Sequence, residues 1–221
     1  MESHRRRSAL TLSSVAALVV AAPLLTGCGK DAHPGAAAVV EGDRISMAQL
    51  QSKVGTVRDA QRAAPQGAQM IKQSGQLTRA TLDGMIRDKI VARAAEDAGV
   101  KVSRREVQQA RAQIEQQAGG RKALEKALLQ QQAVAPGEID DRIRMQVRVE
   151  KVAQAGGIDP RSPQGNEQLN AKLAQVSKDM KIDVNPRYGK WNAAKSTLGN
   201  AKTPWLRDVS GDAKDRQQQR M

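Results

Sequence analysis

Apolar residues recur at helical spacing through the middle of the chain and at strand-like spacing near either end of that region. Ala36 to Val40 is a continuous apolar run ahead of the turn signal Glu41-Gly42-Asp43-Arg44, after which Ile45 resumes apolar character. A strand ending in a turn is expected there. Ser46-Met47-Ala48-Gln49 has the form of a capping box, predicting a helix from Met47 with Leu50 and Val54 turned inward. Residues 62–76 hold Pro65, Gly67 and Gly75 with little periodicity and read as a mobile connection. Leu82, Met85, Ile86, Ile90, Val91 and Ala94 then recur at helical spacing until Gly99. Ser103 to Glu106 is a second capping box, opening a helix with Val107, Ala110 and Ile114 on one face, and Gly119-Gly120 ends it. Leu124 and Leu128 mark a short helix to about Gln132. Pro136 suits a first helical position ahead of the stripe Ile139, Ile143 and Val147. Ser162-Pro163 predicts one more helix start, leading to Leu169, Leu173 and Val176, and Lys181 to Asn185 alternates with the period of a half-buried strand.

Two short strands therefore bracket five or so helices. Their backbone groups are satisfied most simply if the strand near Val40 pairs with the one near Val184. The expected fold is mostly α: a single helical domain over about 36–192, with a small two-stranded sheet joining its N- and C-terminal segments. Residues 193–221 are polar and aperiodic apart from Trp205 and are expected to form a disordered tail.

The beginning of the chain follows a different pattern. Arg5-Arg6-Arg7 precedes an apolar run of 11 residues, Val15 to Leu25. A membrane span needs about 20, so residues 1–27 read as a signal peptide. Leu25-Thr26-Gly27-Cys28 resembles the lipobox of bacterial lipoproteins. That resemblance implies lipid attachment at Cys28, residues 28–35 as a lipidated tether, and an extracytoplasmic protein anchored to a bacterial membrane. A buried or stray thiol is the alternative reading. Cys28 is the sole cysteine, so no disulfide is expected.

The net charge is +13 at pH 7. Residues 1–27 hold three Arg and one Glu, so 221 − 27 = 194 residues remain with a charge of +11. An exported address and almost no aromatic residues argue against nucleic acid. Anionic lipid or envelope polymers are the better partners for a basic surface, and a merely solvated surface is the alternative. With no Phe, one Tyr and two Trp, the core must come from aliphatic side chains and Met.

Catalytic chemistry is hard to assemble from this chain. Its histidines, His4 and His33, fall in the signal peptide and the tether. Asp140-Asp141 read as first-turn acids that complement a helix dipole, and Asp83 and Asp88 as solvated charge. Ala118-Gly119-Gly120-Arg121 lacks the spacing of a phosphate loop, and nothing has metal-ligand spacing. No enzyme activity and no cofactor are expected. Met85, Met145 and Met180 are candidates for an adaptable polypeptide-binding groove, although the same spacing also fills a core. Tyr188 and Trp191 are further candidates, either as anchors for a bound segment or as caps on the small sheet.

The ordered series of elements resembles a known family. Ala38 to Ser46 followed by a helix, Arg87 to Val91 leading to Ala98 through Ser103, Leu124 to Leu129, and Gly137 to Val152 are similar to successive parts of the SurA-type N-terminal domain. That domain is shared with extracytoplasmic foldases and is distantly similar to the substrate-binding part of trigger factor. Val184 to Trp191 resembles the closing strand of lipoproteins of this type. The resemblance implies a chaperone or holdase for unfolded or partly folded exported polypeptides. Full-length relatives insert a parvulin-type prolyl isomerase domain of roughly 90–100 residues, an ordinary domain size. Here Gly156 to Met180 spans only 25 residues, so isomerase activity is not expected. The alternatives are an envelope adaptor with one dedicated partner and an isomerase-related foldase.

Overall fold

The computed structural model describes residues 34–199. The expected signal peptide, Cys28 and Trp205 lie outside the described residues. In chain order the elements are β1 (Ala36–Val40), β2 (Asp43–Ser46), α1 (Met47–Ala63), α2 (Gly67–Gln73), α3 (Leu77–Asp97), α4 (Arg104–Ala118) and α5 (Arg121–Gln132). A single 3-10 turn, Pro136–Glu138, leads into α6 (Ile139–Ala155). The chain continues through α7 (Pro163–Asp179), β3 (Ile182–Val184), β4 (Lys190–Asn192) and β5 (Thr197–Gly199). The mostly helical expectation holds.

The sheet departs from expectation in size. β1 pairs antiparallel with β3, Ala38 opposite Val184 and Val40 opposite Ile182, so the two ends of the domain are joined as predicted. The sheet nevertheless has three strands, in the order β2-β1-β3, because β2 folds back on β1. Glu41 and Gly42 form the two-residue connection, with φ of 50° and 87°. Two positive φ values in succession suit the right-handed twist of a hairpin. Of the four residues that read as a turn, Glu41 and Gly42 make the tight hairpin connection, while Asp43 and Arg44 open its second strand. Arg93 on α3 donates to the Glu41 carboxylate at 2.8 and 3.1 Å, and Lys89 donates to Asp43 at 2.9 Å, tying the hairpin to the helix. β1 is buried at all five positions, which explains its unbroken apolar run.

Side-chain capping sets the starts of α1, α4 and α7. Ser46 Oγ accepts from the Gln49 amide while Gln49 Oε1 accepts from the Ser46 amide, and Ser103 with Glu106 repeats the arrangement. Lys151 also donates to Glu106 at 2.6 Å. That contact and the Ser103 donors hold the Glu106 carboxyl down at about 2. Ser162 Oγ accepts from Gly165, with Pro163 in the first turn of α7.

Residues 62–76, expected to be a mobile connection, contain α2 instead. Arg58 on α1 donates to the Ile71 carbonyl at 3.3 Å and the Ser74 carbonyl at 2.9 Å. It thereby satisfies carbonyls at the C-terminal end of a helix too short to be stable alone. Met70 is buried and fixes α2 on the body of the domain.

The largest core packs Leu50, Leu82, Ile86 and Ile90 against the inner face of the sheet. A second cluster joins Ala94 and Ala95 of α3 to Val152, Ala153 and Leu169. A third joins Val107, Leu124, Ile139 and Ile143 across α4, α5 and α6. Asp140 accepts from Arg111 at 2.6 Å and from Gln108 at 3.1 Å, so it bolts α6 to α4. α3 contacts α1, α6, α7 and β1 and is the central beam of the fold.

The ordered chain also runs past the expected boundary at Asn192. Residues 193–196 form a turn, and β5 pairs back on β4, Trp191 opposite Leu198. Three tertiary contacts hold this hairpin where local periodicity gives no sign of it. Asp83 on α3 accepts from the Leu198 amide at 2.7 Å, and Arg79 donates to the Tyr188 and Leu198 carbonyls at 3.0 and 3.3 Å.

Candidate functional site

One stripe of α3 faces outward between α1 and α6. Leu77, Ala80, Thr81, Gly84, Met85 and Asp88 stand at i, i+3, i+4, i+7, i+8 and i+11, which places them on one helical face. The small side chains at Ala80 and Gly84 leave this face unfilled, and a Cβ added at Gly84 would meet nothing within 4 Å. The result is a cleft of about 450 Å³ between α1, α3, α6 and the segment joining α5 to α6. Val57 and Leu77 are buried at its floor. Met85 from α3 and Met145 from α6, both half-buried, line it. A shallower depression of about 640 Å³ over β2 and α1 shares Lys53, Met85 and Asp88 with the cleft, so the two adjoin.

Charge is concentrated on the rim. Lys53 on α1 donates to Glu138 at 2.9 Å, bridging to the entry of α6. Burial alone would lower the Lys53 pKa, but the Glu138 hydrogen bond and the nearby carboxylates of Glu138, Asp141 and Asp88 leave it raised. Asp88 is different. Desolvation by the surrounding protein raises its pKa, outweighing Lys53 and Arg142. Among the described residues its carboxylate accepts no hydrogen bond. An acid in that position can accept a donor from whatever enters the cleft.

The candidate residues read from the sequence separate into two groups. Met85 and Met145 meet in the cleft. Met180 and Tyr188, at 5% and 7% exposure, are core instead. Trp191 packs against the same core and donates from Nε1 to the buried Ser177 hydroxyl at 2.9 Å. These three close the domain, because the chain that carries them folds back over α3 and α7. Cys28 lies outside the described residues. Asp88 is solvent-exposed, as the sequence predicts, and its place is on the cleft rim. Its position three residues past Met85 on the α3 stripe is the one signal that could have found it.

The family whose description is "SurA-like N-terminal domain" matches residues 1–153. The chain belongs to this family. The SurA-like match contains every residue lining the α1–α3–α6 cleft and stops within α6, before α7, β3 and the C-terminal hairpin. No parvulin-domain match accompanies the SurA-like one. No curated protein and no solved structure gave a significant match. Among the described residues, no helix is long and apolar enough to cross a membrane, and no group of three His, Cys, Asp or Glu side chains is placed to hold a metal.

Proposed function

We propose that this protein is an extracytoplasmic holdase, anchored through a lipid on Cys28, that captures unfolded or partly folded exported polypeptide without catalysis. The observation that carries the reading is the pair Met85 and Met145 in an open cleft of a SurA-like N-terminal domain. Thioethers on unbranched side chains repack around apolar partners of varied shape, which suits a site that must accept many sequences. The adjoining depression extends the apolar track, and the rim charges offer polar contacts to the backbone of a bound segment. SurA-like family membership supports polypeptide as the ligand class.

The full chain is expected to suppress aggregation of a chemically unfolded client at a several-fold molar excess, without ATP. Met85→Ala combined with Met145→Ala is expected to lower client affinity about tenfold, consistent with the loss of two buried thioether contacts. A chain that leaves aggregation unchanged, or a double variant that holds client as tightly as the parent, sinks the reading. Recovery of one stoichiometric partner in place of a spread of unfolded clients identifies a dedicated adaptor. The anchor is tested separately by fatty-acid labelling, which Cys28→Ala is expected to abolish together with membrane association.

A further inference from the structure

A second cavity of about 430 Å³ lies between α3, α7 and the turn that joins β4 to β5. Its composition is one-sided. Ile90 and Leu173 are among its apolar walls, and its polar contributors are Arg87, Asn170, Lys195 and Ser196, with no Asp or Glu. Among the described residues, neither the Arg87 guanidinium nor the Lys195 ammonium has a carboxylate partner, and the Asn170 amide makes no hydrogen bond. Ser196 adds an independent sign. Its Oγ is buried without a hydrogen-bond partner, on a residue whose backbone stands at φ 48°. A buried, unsatisfied hydroxyl is uncommon in a native fold and calls for an explanation. A left-handed conformation at a non-glycine residue is maintained only where surrounding structure imposes it. Here the anchored hairpin imposes it.

We infer that this cavity binds a small amphipathic anion, a single anionic headgroup on a short apolar chain. Two cations and two neutral donors can satisfy the headgroup, and charge-assisted hydrogen bonds are the stronger kind. Apolar walls with a few polar groups, at a volume of several hundred Å³, match the usual build of a small-molecule site. The absence of lining acids disfavours a cation, and the apolar walls disfavour a bare inorganic ion. The cavity uses α7 and the hairpin, both outside the SurA-like match, so it goes beyond the proposed capture of polypeptide.

The test is calorimetric titration of the full chain with octanoate, octyl phosphate, octanol and acetate. Octanoate or octyl phosphate is expected to saturate one site, the better of the two naming the headgroup, with octanol and acetate at least tenfold weaker. Hexanoate is expected to bind about tenfold more weakly than octanoate, from about 0.8 kcal/mol per buried methylene. Arg87→Gln and Lys195→Gln, both at exposed positions, are each expected to weaken binding about tenfold with thermal stability unchanged. Ser196→Ala is expected to weaken it several-fold. Octanol binding as well as octanoate, no saturable site for either anion, or unchanged affinity in both charge variants overturns the inference. Client capture is not read in this titration, so its outcome is separate from that of the holdase test.

Discussion

The α1–α3–α6 cleft and the C-terminal closure both use α3, but they treat its side chains in opposite ways. At the closure, polar groups find partners. Asp83 takes the Leu198 amide, Arg79 takes two carbonyls, and Trp191 donates to Ser177. At the cleft, the same helix presents Ala80, Gly84, Met85 and Asp88, which leave space, flexibility and an unpaired carboxylate. The closure spends its residues on holding the fold together, and the cleft withholds them. Binding surfaces are drawn from regions where packing has been left incomplete. The closure and the candidate cleft occupy adjoining faces of one helix, with Asp83 on the border between them, and the substitutions below test whether they can be broken separately.

The largest separation is expected from Trp191→Ala. It removes a large part-buried ring and leaves the Ser177 hydroxyl, at 1% exposure, without its donor. A loss of about 3 kcal/mol is expected by chemical denaturation, with client affinity per folded molecule unchanged. Altered affinity at full folding would show that the two regions are coupled.

Gly189→Ala tests the closure by backbone alone. Gly189 stands at φ 128°, and a Cβ there would meet the Gly199 carbonyl oxygen at 2.2 Å. The variant is expected to cost about 2 kcal/mol and to expose the β4–β5 amides to hydrogen exchange. Cleft amides on α1 are expected to keep their protection.

Gly84→Leu runs in the other direction. The position is helical and open, so replacing Gly is expected to add about 1 kcal/mol of stability through helix propensity while filling the cleft. Client affinity is expected to fall about tenfold. A variant that is more stable and binds as before would place capture elsewhere on the molecule.

Asp88→Asn gives the smallest effect and is read through pH. Burial raises the folded pKa above the ordinary aspartate value of 3.8, so the folded protein takes up this proton before the unfolded chain does. Parent stability therefore gains as pH falls through the folded pKa, and the gain is complete below about 3.8. The variant, which cannot titrate, lacks that gain. It is expected to be slightly more stable than the parent at pH 7, with the gap closing in acid, as measured by thermal melts across pH. A gap that widens in acid would mean that the parent carboxylate is stabilised by the rim cations and not desolvated.

Much of the fold was legible in the chain because its signals are local. The capping serines at 46, 103 and 162 satisfy amides within three residues, and the apolar stripe of α3 needs only its own periodicity. α2 was not legible, since its C-terminal carbonyls are satisfied by Arg58 from a different helix. β5 was not legible either, because Thr197 to Gly199 becomes a strand through Asp83 and Arg79, each more than a hundred residues away in sequence. The candidate site was half legible. A methionine at helical spacing has the same signature in a core and in a cleft, and Met180 went one way while Met85 and Met145 went the other.

By itself, then, the sequence determined where α1, α4 and α7 begin, that the Val40 and Val184 strands pair, and that the chain has the order of a SurA-like domain. Those features rest on neighbouring residues and on a simple need to pair backbone groups. Tertiary structure alone decided that Met180 enters the core while Met85 and Met145 line the cleft, that Asp88 stands on the rim beside Lys53 and Arg142, and that the last hairpin is held over α3 and α7. Burial and unpaired charge are properties of what surrounds a residue, and those surroundings are contributed by parts of the chain far apart in sequence.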